Sequence, residues 1–558
     1  MPPRLGPFID QVLRYFWSQS PTTATALGVH DYDHLLADHD RDAVLGRVHA
    51  IGAFHRELMR LLREGAPGTP DEELDAIVLR DALEVEWRLL EEVRAPFRDP
   101  GLYLDDVLYG LYYLVQREFA PLEPRVAIAA RRLREVPRLL EQARANLSDP
   151  RDIPPAWVES AERQLRGSLG FLGDLRRELV PRSGSAGRDL EAALDDAIPA
   201  LARFGDWMES RLAGAAAGEL AIGRTLFDFL LRTHHGVDFD ADSLHAFGEA
   251  LIAETQARLE KAVLGLDARR SWQDLVAEWK ATDHPTAEGF VADYSDEVDR
   301  ARDFVLQRDL VTIPPGERLH VVKTPPFQRS LCPFAAYLPP GPFESNQDGY
   351  FWVTPPDEQA SPEVRDRLLQ DHLRPGIAGT ATHEAYPGHH LQLSVANRIA
   401  SRVRRQFTTS VLVEGWGFYS EQLMGEEGFY RDPRSAVLQL KGQLWRACRV
   451  VIDVGLQTRG MDLEEAARML HEVAHLELPS ARGELLRYAR TPTQPMSYAV
   501  GKSEILRLRE DVRRRSGAAF RLKDFHDRLL SFGSIPIALI RRRMLGESSE
   551  AAPASAPA

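Results

Sequence analysis

The chain has 558 residues, 44% of them hydrophobic and 27% charged, an ordinary globular composition with length enough for a large core. Its net charge of −14 argues against nucleic acid as a partner, because binders of nucleic acid carry a basic face. No stretch reaches the roughly 20 apolar residues of a membrane span, which argues against a membrane partner. Met1–Ser20, interrupted by Arg4, Asp10 and Arg14, holds no apolar run of signal-peptide length, so a soluble cytoplasmic protein is expected. Two cysteines, Cys332 and Cys448, could form one bridge but not a secreted disulfide framework.

Residues 7 to about 310 read as helix after helix. Apolar residues recur near i, i+3, i+4 and i+7 over 51–64, 72–93, 124–146, 157–179, 190–213 and 241–264, with charge between them. Pro67-Gly68, Asp99-Pro100-Gly101, Asp149-Pro150 and Ser183-Gly184-Ser185 separate them. Pro21–Gly28 reads as a helix start with Thr caps. Over 318–355 the pattern changes. Leu319–Val322, Ala335–Leu338 and Gly349–Val353 are short, aromatic or β-branched and bounded by Pro or Gly, which predicts a small sheet. Helix resumes near 361 and continues to about 545. The expected organisation is mainly α: a helical region over 1–315, a small sheet plus helical catalytic region over 316–545 continuous with it, and a disordered tail over 546–558.

The most informative stretch is Thr382-His383-Glu384-Ala385-Tyr386-Pro387-Gly388-His389-His390-Leu391-Gln392. His is the commonest metal-binding side chain, and a Glu beside a ligand His is a ready general base. In the zinc pattern H-E-x-x-H both His share one helix face. Here Pro387 stands at the i+4 position, and Pro-Gly cannot continue a regular helix. The spacing therefore predicts a helix with His383 and Glu384, a break, and His389 turning back. His390 is its rival: on an unbroken helix it returns to the face of His383, but about 10 Å along the axis.

This stretch, H-E-A-Y-P-G-H-H-L-Q, resembles the signature of the domain-of-unknown-function 885 family. Further segments resemble that family too: Val413–Glu421, Trp445–Gly455, Gln494–Tyr498 with Gly501, and Phe525–Asp527 with Gly533, Ser534 and Pro536. The resemblance implies a metallopeptidase-like helical fold with the small sheet next to the active-site helix, a Zn²⁺ cofactor, and His389 rather than His390 as the second ligand.

A His₂Glu zinc site needs a third ligand and an open position for water. Glu414 is the best candidate, because it lies in an apolar helical segment where a carboxylate is costly unless it is paired or metal-bound. A core Glu paired with Arg is the plain alternative. Glu421, two turns on, could support a ligand His. Tyr498 could donate to an oxyanion or simply pack in its Gly/Pro-rich turn. Arg446, Arg449 and Lys502 could bind a substrate carboxylate or serve structural pairs. Gly349–Val353 could take a substrate backbone as an added strand or be an ordinary core strand.

A literal H-E-x-x-H also occurs, at His471-Glu472-Val473-Ala474-His475 after an amphipathic stretch. As a metal site it would call on Glu504; as an incidental match it is surface helix. The expected function is a zinc-dependent hydrolase, a metallopeptidase acting on short peptides with Glu384 as general base. Its metal would be held by His383, His389 and Glu414. The alternatives are a metal-dependent amidohydrolase on a non-peptide amide and a non-catalytic helical binding protein.

Overall fold

The structure, a computed structural model, describes residues 5–324, 335–356, 360–370 and 372–546. Cys332 and the expected tail from 547 onward lie outside the described residues. The chain is 72% helical with a small three-stranded sheet, a mainly α fold.

Apolar periodicity becomes helix at Arg41–Arg63, Pro70–Arg88, Pro155–Leu179, Gly184–Arg211 and Ala241–Leu264. The single helix predicted over 124–146 is two, Leu122–Leu133 and Val136–Asn146. Pro137 sits in the first turn of the second, where its missing N–H does no harm and its ring excludes a preceding helical turn. Periodicity ran through the break because both pieces bury the same kind of face. The helix Pro21–Leu27 starts on its proline, without a side-chain cap. Thr25 instead donates to Asp33 at 2.6 Å.

Two apolar cores dominate. One draws only on residues between 36 and 212, among them Tyr103, Leu133, Phe171 and Phe204. The other runs from Leu5 to Leu545 and joins early helices (Leu58, Leu79, Phe290) to the sheet (Phe351, Val353) and to late helices (Trp416, Tyr419, Ile505). The region carrying the His-rich stretch is therefore packed from both ends of the chain.

The strands are β1 (Arg318–Lys323), β2 (Ala335–Leu338) and β3 (Asp348–Val353), in the order β1-β3-β2. β3 pairs parallel with β1 (Val321 beside Phe351) and antiparallel with β2 (Tyr337 beside Phe351). Phe351, Trp352 and Val353 are buried, so the most apolar strand takes the centre. With a partner on each side, β3 offers no free edge, and the reading of Gly349–Val353 as a strand that takes up a substrate backbone is corrected.

Five late helices frame the His-rich stretch: α1 (Arg374–Glu384), α2 (His389–Ala396), α3 (Ser410–Glu426), α4 (Arg434–Thr458) and α5 (Ser497–Ser516). α1 packs on α3 and α4, and α3 lies along α5. At that last crossing the backbones touch. A Cβ on Gly415 would come 2.5 Å from the Gly501 Cα, and one on Gly501 would come 1.9 Å from the Val411 carbonyl oxygen.

Candidate metal centre

α1 stops at Glu384, and α2 begins at His389. Pro387 brings no N–H to the break. Gly388 is required there, since a Cβ would lie 1.9 Å from the His383 carbonyl oxygen. The indole N–H of Trp416 on α3 donates to the Pro387 carbonyl at 2.7 Å and ties the loop down. His389 thereby comes back against His383, with ring centroids 4.7 Å apart and planes at 89°.

Both imidazoles turn Nε2 toward Glu414 Oε2, His383 at 3.9 Å and His389 at 3.4 Å. One ligand atom from each of the three lies within 4.8 Å of the others, the only grouping of this kind found among the described residues. The side chains of His383 and His389 are 8% and 11% exposed and that of Glu414 is 21% exposed, so the cluster opens on the Glu414 side. Gly417 makes the space: a Cβ there would sit 2.9 Å from His383 Nε2 and 3.0 Å from His389 Cε1.

Burial alone would raise the Glu414 pKa, but hydrogen bonding to His383 and His389 holds it well below the usual carboxylate range. Burial likewise opposes charge on His383, yet Glu414 and Glu421 outweigh it and raise its pKa to about 9. A carboxylate that favours positive charge on two facing imidazoles is equally placed for a divalent cation, which takes the position of those protons. Two imidazoles and one carboxylate, with an open side, suit Zn²⁺ in donor type and number.

Glu421 orients the first imidazole. Its Oε1 lies 2.8 Å from His383 Nδ1 and accepts from Arg446 Nη2 at 3.2 Å. Burial raises its pKa, and Arg446 followed by His383 brings it below the usual range. Gln439 and Tyr430 donate to the Glu421 carbonyl at 2.6 and 3.2 Å, fixing that turn of α3. His389 differs: its Nδ1 is buried with no hydrogen-bond partner.

Glu384 ends α1, half-buried, close enough for its charge to act on His383. The Tyr498 ring lies 6.2 Å from the His383 ring, tilted by only 18°. Burial, then Glu414, raises the Tyr498 pKa, while Arg449, Arg487 and Arg446 pull the other way. The turn ahead of Tyr498 hangs on buried Asp453, which accepts from the N–H groups of Thr493 at 3.1 Å and Met496 at 3.3 Å.

His390 points away from the cluster. Its Nε2 meets Glu317 Oε2 at 2.5 Å and its Nδ1 meets the Tyr337 hydroxyl of β2 at 3.0 Å. Both ring nitrogens are thus committed to the sheet side, which leaves His390 no part in a metal site. Lys502 is buried and donates to Gln443 at 2.7 Å beside the Phe418 ring, a structural pairing. Gly417, Trp416 and Asp453 fall in the segments Val413–Glu421 and Trp445–Gly455 but, like Glu317, received no role of their own from the sequence. Only Gly417 carried a signal, as the second glycine of Gly415-Trp416-Gly417 inside a helix, where glycine is costly without a packing reason.

A cavity of about 790 Å³ lies nearby, lined by Asp81, Glu86, His234, Ser410, Thr493 and Gln494 among others. None of the three donors lines it, but Ser410 stands one helical turn before Glu414.

Fold and site define a mainly α protein with a buried cluster of two histidines and one glutamate. Residues 21–544 match the family described as bacterial protein of unknown function, DUF885, and the chain belongs to that family. No curated protein matches the sequence significantly. Among solved structures, a protein of unknown function from Shewanella oneidensis, described as a candidate lipoprotein, is 25% identical with a TM-score of 0.79, over 96% of this chain and 99% of its own. A candidate lipoprotein from Colwellia psychrerythraea is 18% identical with a TM-score of 0.80, over 95% and 96% of the two chains, a likeness of fold alone.

Proposed function

We propose that this protein is a zinc-dependent hydrolase, a metallopeptidase of short peptides or peptide-like amides. The observation that carries the reading is the convergence of His383 Nε2, His389 Nε2 and Glu414 Oε2 beside Glu384 and Tyr498. His383, His389 and Glu414 would hold the ion. Zn²⁺ bound there supplies Lewis acidity, which polarises a carbonyl and makes water easier to deprotonate.

The chain's own groups do the rest. Glu384 takes the proton of the attacking water and passes it to the leaving amine. Tyr498 donates a hydrogen bond to the oxygen on which negative charge develops. Its raised pKa keeps the phenol a donor at neutral pH. Glu421, braced by Arg446, holds the His383 ring in the tautomer that leaves Nε2 free. The partly covered donors favour a flexible chain end or small amide over a folded protein.

Elemental analysis of purified protein should find about one Zn²⁺ per chain. A chelator should stop peptide hydrolysis, and added zinc should restore it. Protein that neither holds zinc nor is activated by it overturns the proposal. A panel of peptides and non-peptide amides then separates a peptidase from an amidohydrolase.

A further inference from the structure

Taking the His383–His389–Glu414 cluster as the hydrolytic centre, we infer that Arg449, with Trp445 and Arg446 beside it, binds the terminal carboxylate of a short peptide. The protein then cleaves near peptide C-termini rather than within chains.

The three residues stand on one stretch of α4. Arg449 is 3% exposed, yet its Nε and Nη2 have no hydrogen-bond partner. The same holds for Trp445 Nε1 and Arg446 Nε. Arg449 lies against Trp445, its guanidinium 5.8 Å from that ring's centre. All four atoms are donors. Arginine Nε atoms without a partner also occur elsewhere among the described residues, on Arg117 and Arg132 for example, but only Arg449 leaves both Nε and Nη2 unpaired, and it is this whole edge that lacks an acceptor. Nε and Nη2 of arginine form one edge of the planar guanidinium, spaced to give two parallel hydrogen bonds to a carboxylate.

The carboxylates nearby are already engaged. Glu421 pairs with Arg446 Nη2 and His383. Glu484 pairs with Arg487 at 2.7 Å. Asp453 takes the backbone of the turn ahead of Tyr498. Arg449 is left stacked on the Tyr498 ring, 4.0 Å from its centre, with its carboxylate-binding edge unused.

Position adds the functional sense. The Tyr498 ring stands 6.2 Å from the His383 ring and 4.0 Å from the guanidinium carbon of Arg449. A peptide advances about 3.3–3.6 Å per extended residue. With the scissile carbonyl at the His383 cluster and its oxygen toward Tyr498, a carboxylate one or two residues further on falls near Arg449. The cavity of about 790 Å³ comes as close as Thr493 and Gln494, in the turn ahead of Tyr498, although Arg449, Arg446 and Trp445 do not line it.

The test compares trialanine with its C-terminal amide on the full chain, both zinc-loaded and chelator-stripped. Calorimetry on the stripped protein should show the free acid bound about tenfold or more tighter than the amide. On the loaded enzyme the preference should appear mainly in KM. Arg449→Gln should erase the preference while holding zinc as the wild type does. Arg449→Lys, which keeps charge but not the fork, should keep part of it, and Trp445→Phe should weaken it by a smaller factor. Equal affinity of the wild type for acid and amide overturns the inference, and so does a preference that survives in Arg449→Gln. The wild-type comparison decides the point even where a substitution unfolds the chain. Zinc binding and hydrolysis with equal treatment of acid and amide would sink the carboxylate inference alone. Tighter binding of the acid by a protein that takes up no added zinc and hydrolyses neither peptide would sink the hydrolase proposal alone.

Discussion

Two stretches of this chain set His and Glu side by side, and they lie in opposite settings. Residues 471–475 have the literal H-E-x-x-H spacing. Their helix, Leu463–Glu472, stops after Glu472, and His475 takes a left-handed backbone with φ 52°. The two His therefore share no helix face. His471 Nδ1 binds the Leu476 carbonyl at 2.9 Å, and exposed His475 sits edge-on to Trp272, with centroids 4.8 Å apart. Glu504 pairs with Arg507 at 2.9 Å. Residues 383–390 have the wrong spacing and a break in the middle, yet they are buried against a helix that presents Glu414. Spacing along a sequence encodes a face only while the helix lasts. What gathers donors here is a half-buried carboxylate across from them, which needs a cationic partner.

The comparison can be broken outright. His383→Ala should take zinc content from about one per chain to near none and abolish hydrolysis, whereas His471→Ala and His475→Ala should leave both near wild type, by elemental analysis and peptide assay. Metal lost in His475→Ala and kept in His383→Ala would reverse it. Glu414→Ala should also lose the metal, while His389→Ala should cost far more affinity than His390→Ala, whose nitrogens face Glu317 and Tyr337. A chelator competition titration ranks His383→Ala, Glu414→Ala, His389→Ala and His390→Ala.

Chemistry separates from binding at Glu384. Glu384→Gln should keep zinc and lose about 10²- to 10⁴-fold in kcat, the span of a general base. Full activity in that variant would place the base elsewhere. A smaller change is expected at Glu421. Glu421→Gln should weaken zinc binding about 10- to 100-fold, as loss of a carboxylate behind a ligand imidazole does. Unchanged affinity would reduce Glu421 to a structural partner of Arg446.

The smallest effect concerns the turn that carries Tyr498. Burial raises the Asp453 pKa from 3.8 to about 7, against the pull of the Thr493 and Met496 N–H groups. The folded chain thus holds a proton that the unfolded chain releases near pH 4. The stability this gives is full below that pH and is lost as pH rises to about 7. Asp453→Asn should flatten this slope, by about 1 kcal/mol or more across the window, in denaturant titrations at several pH values. An unaltered slope would show that Asp453 is charged throughout.

Much of this was legible in the residues. Pro387-Gly388 announces a break, because one lacks a donor and the other a side chain. Glu414 stands out as a charge in an apolar helix, and the three strands follow from short β-branched or aromatic runs between Pro and Gly. The strand order was not legible, since pairing partners leave no local mark. Nor was the clasp on His390, whose partner Glu317 lies 73 residues away in sequence. The split of the predicted helix at 124–146 was hidden by a periodicity that the two pieces share.

The touching backbones of Gly415 and Gly501 bear on how the protein can move. Glu414 is the neighbour of one glycine, and Tyr498 stands one turn before the other. Helices in backbone contact have no side-chain layer to slide on, and their separation is set by hard atoms rather than by rotamers. The span from Glu414 to Tyr498 then behaves as a fixed ruler. Any breathing that admits a substrate must come from elements facing this pair, and hydrogen exchange should find the α3–α5 crossing among the last amides to open.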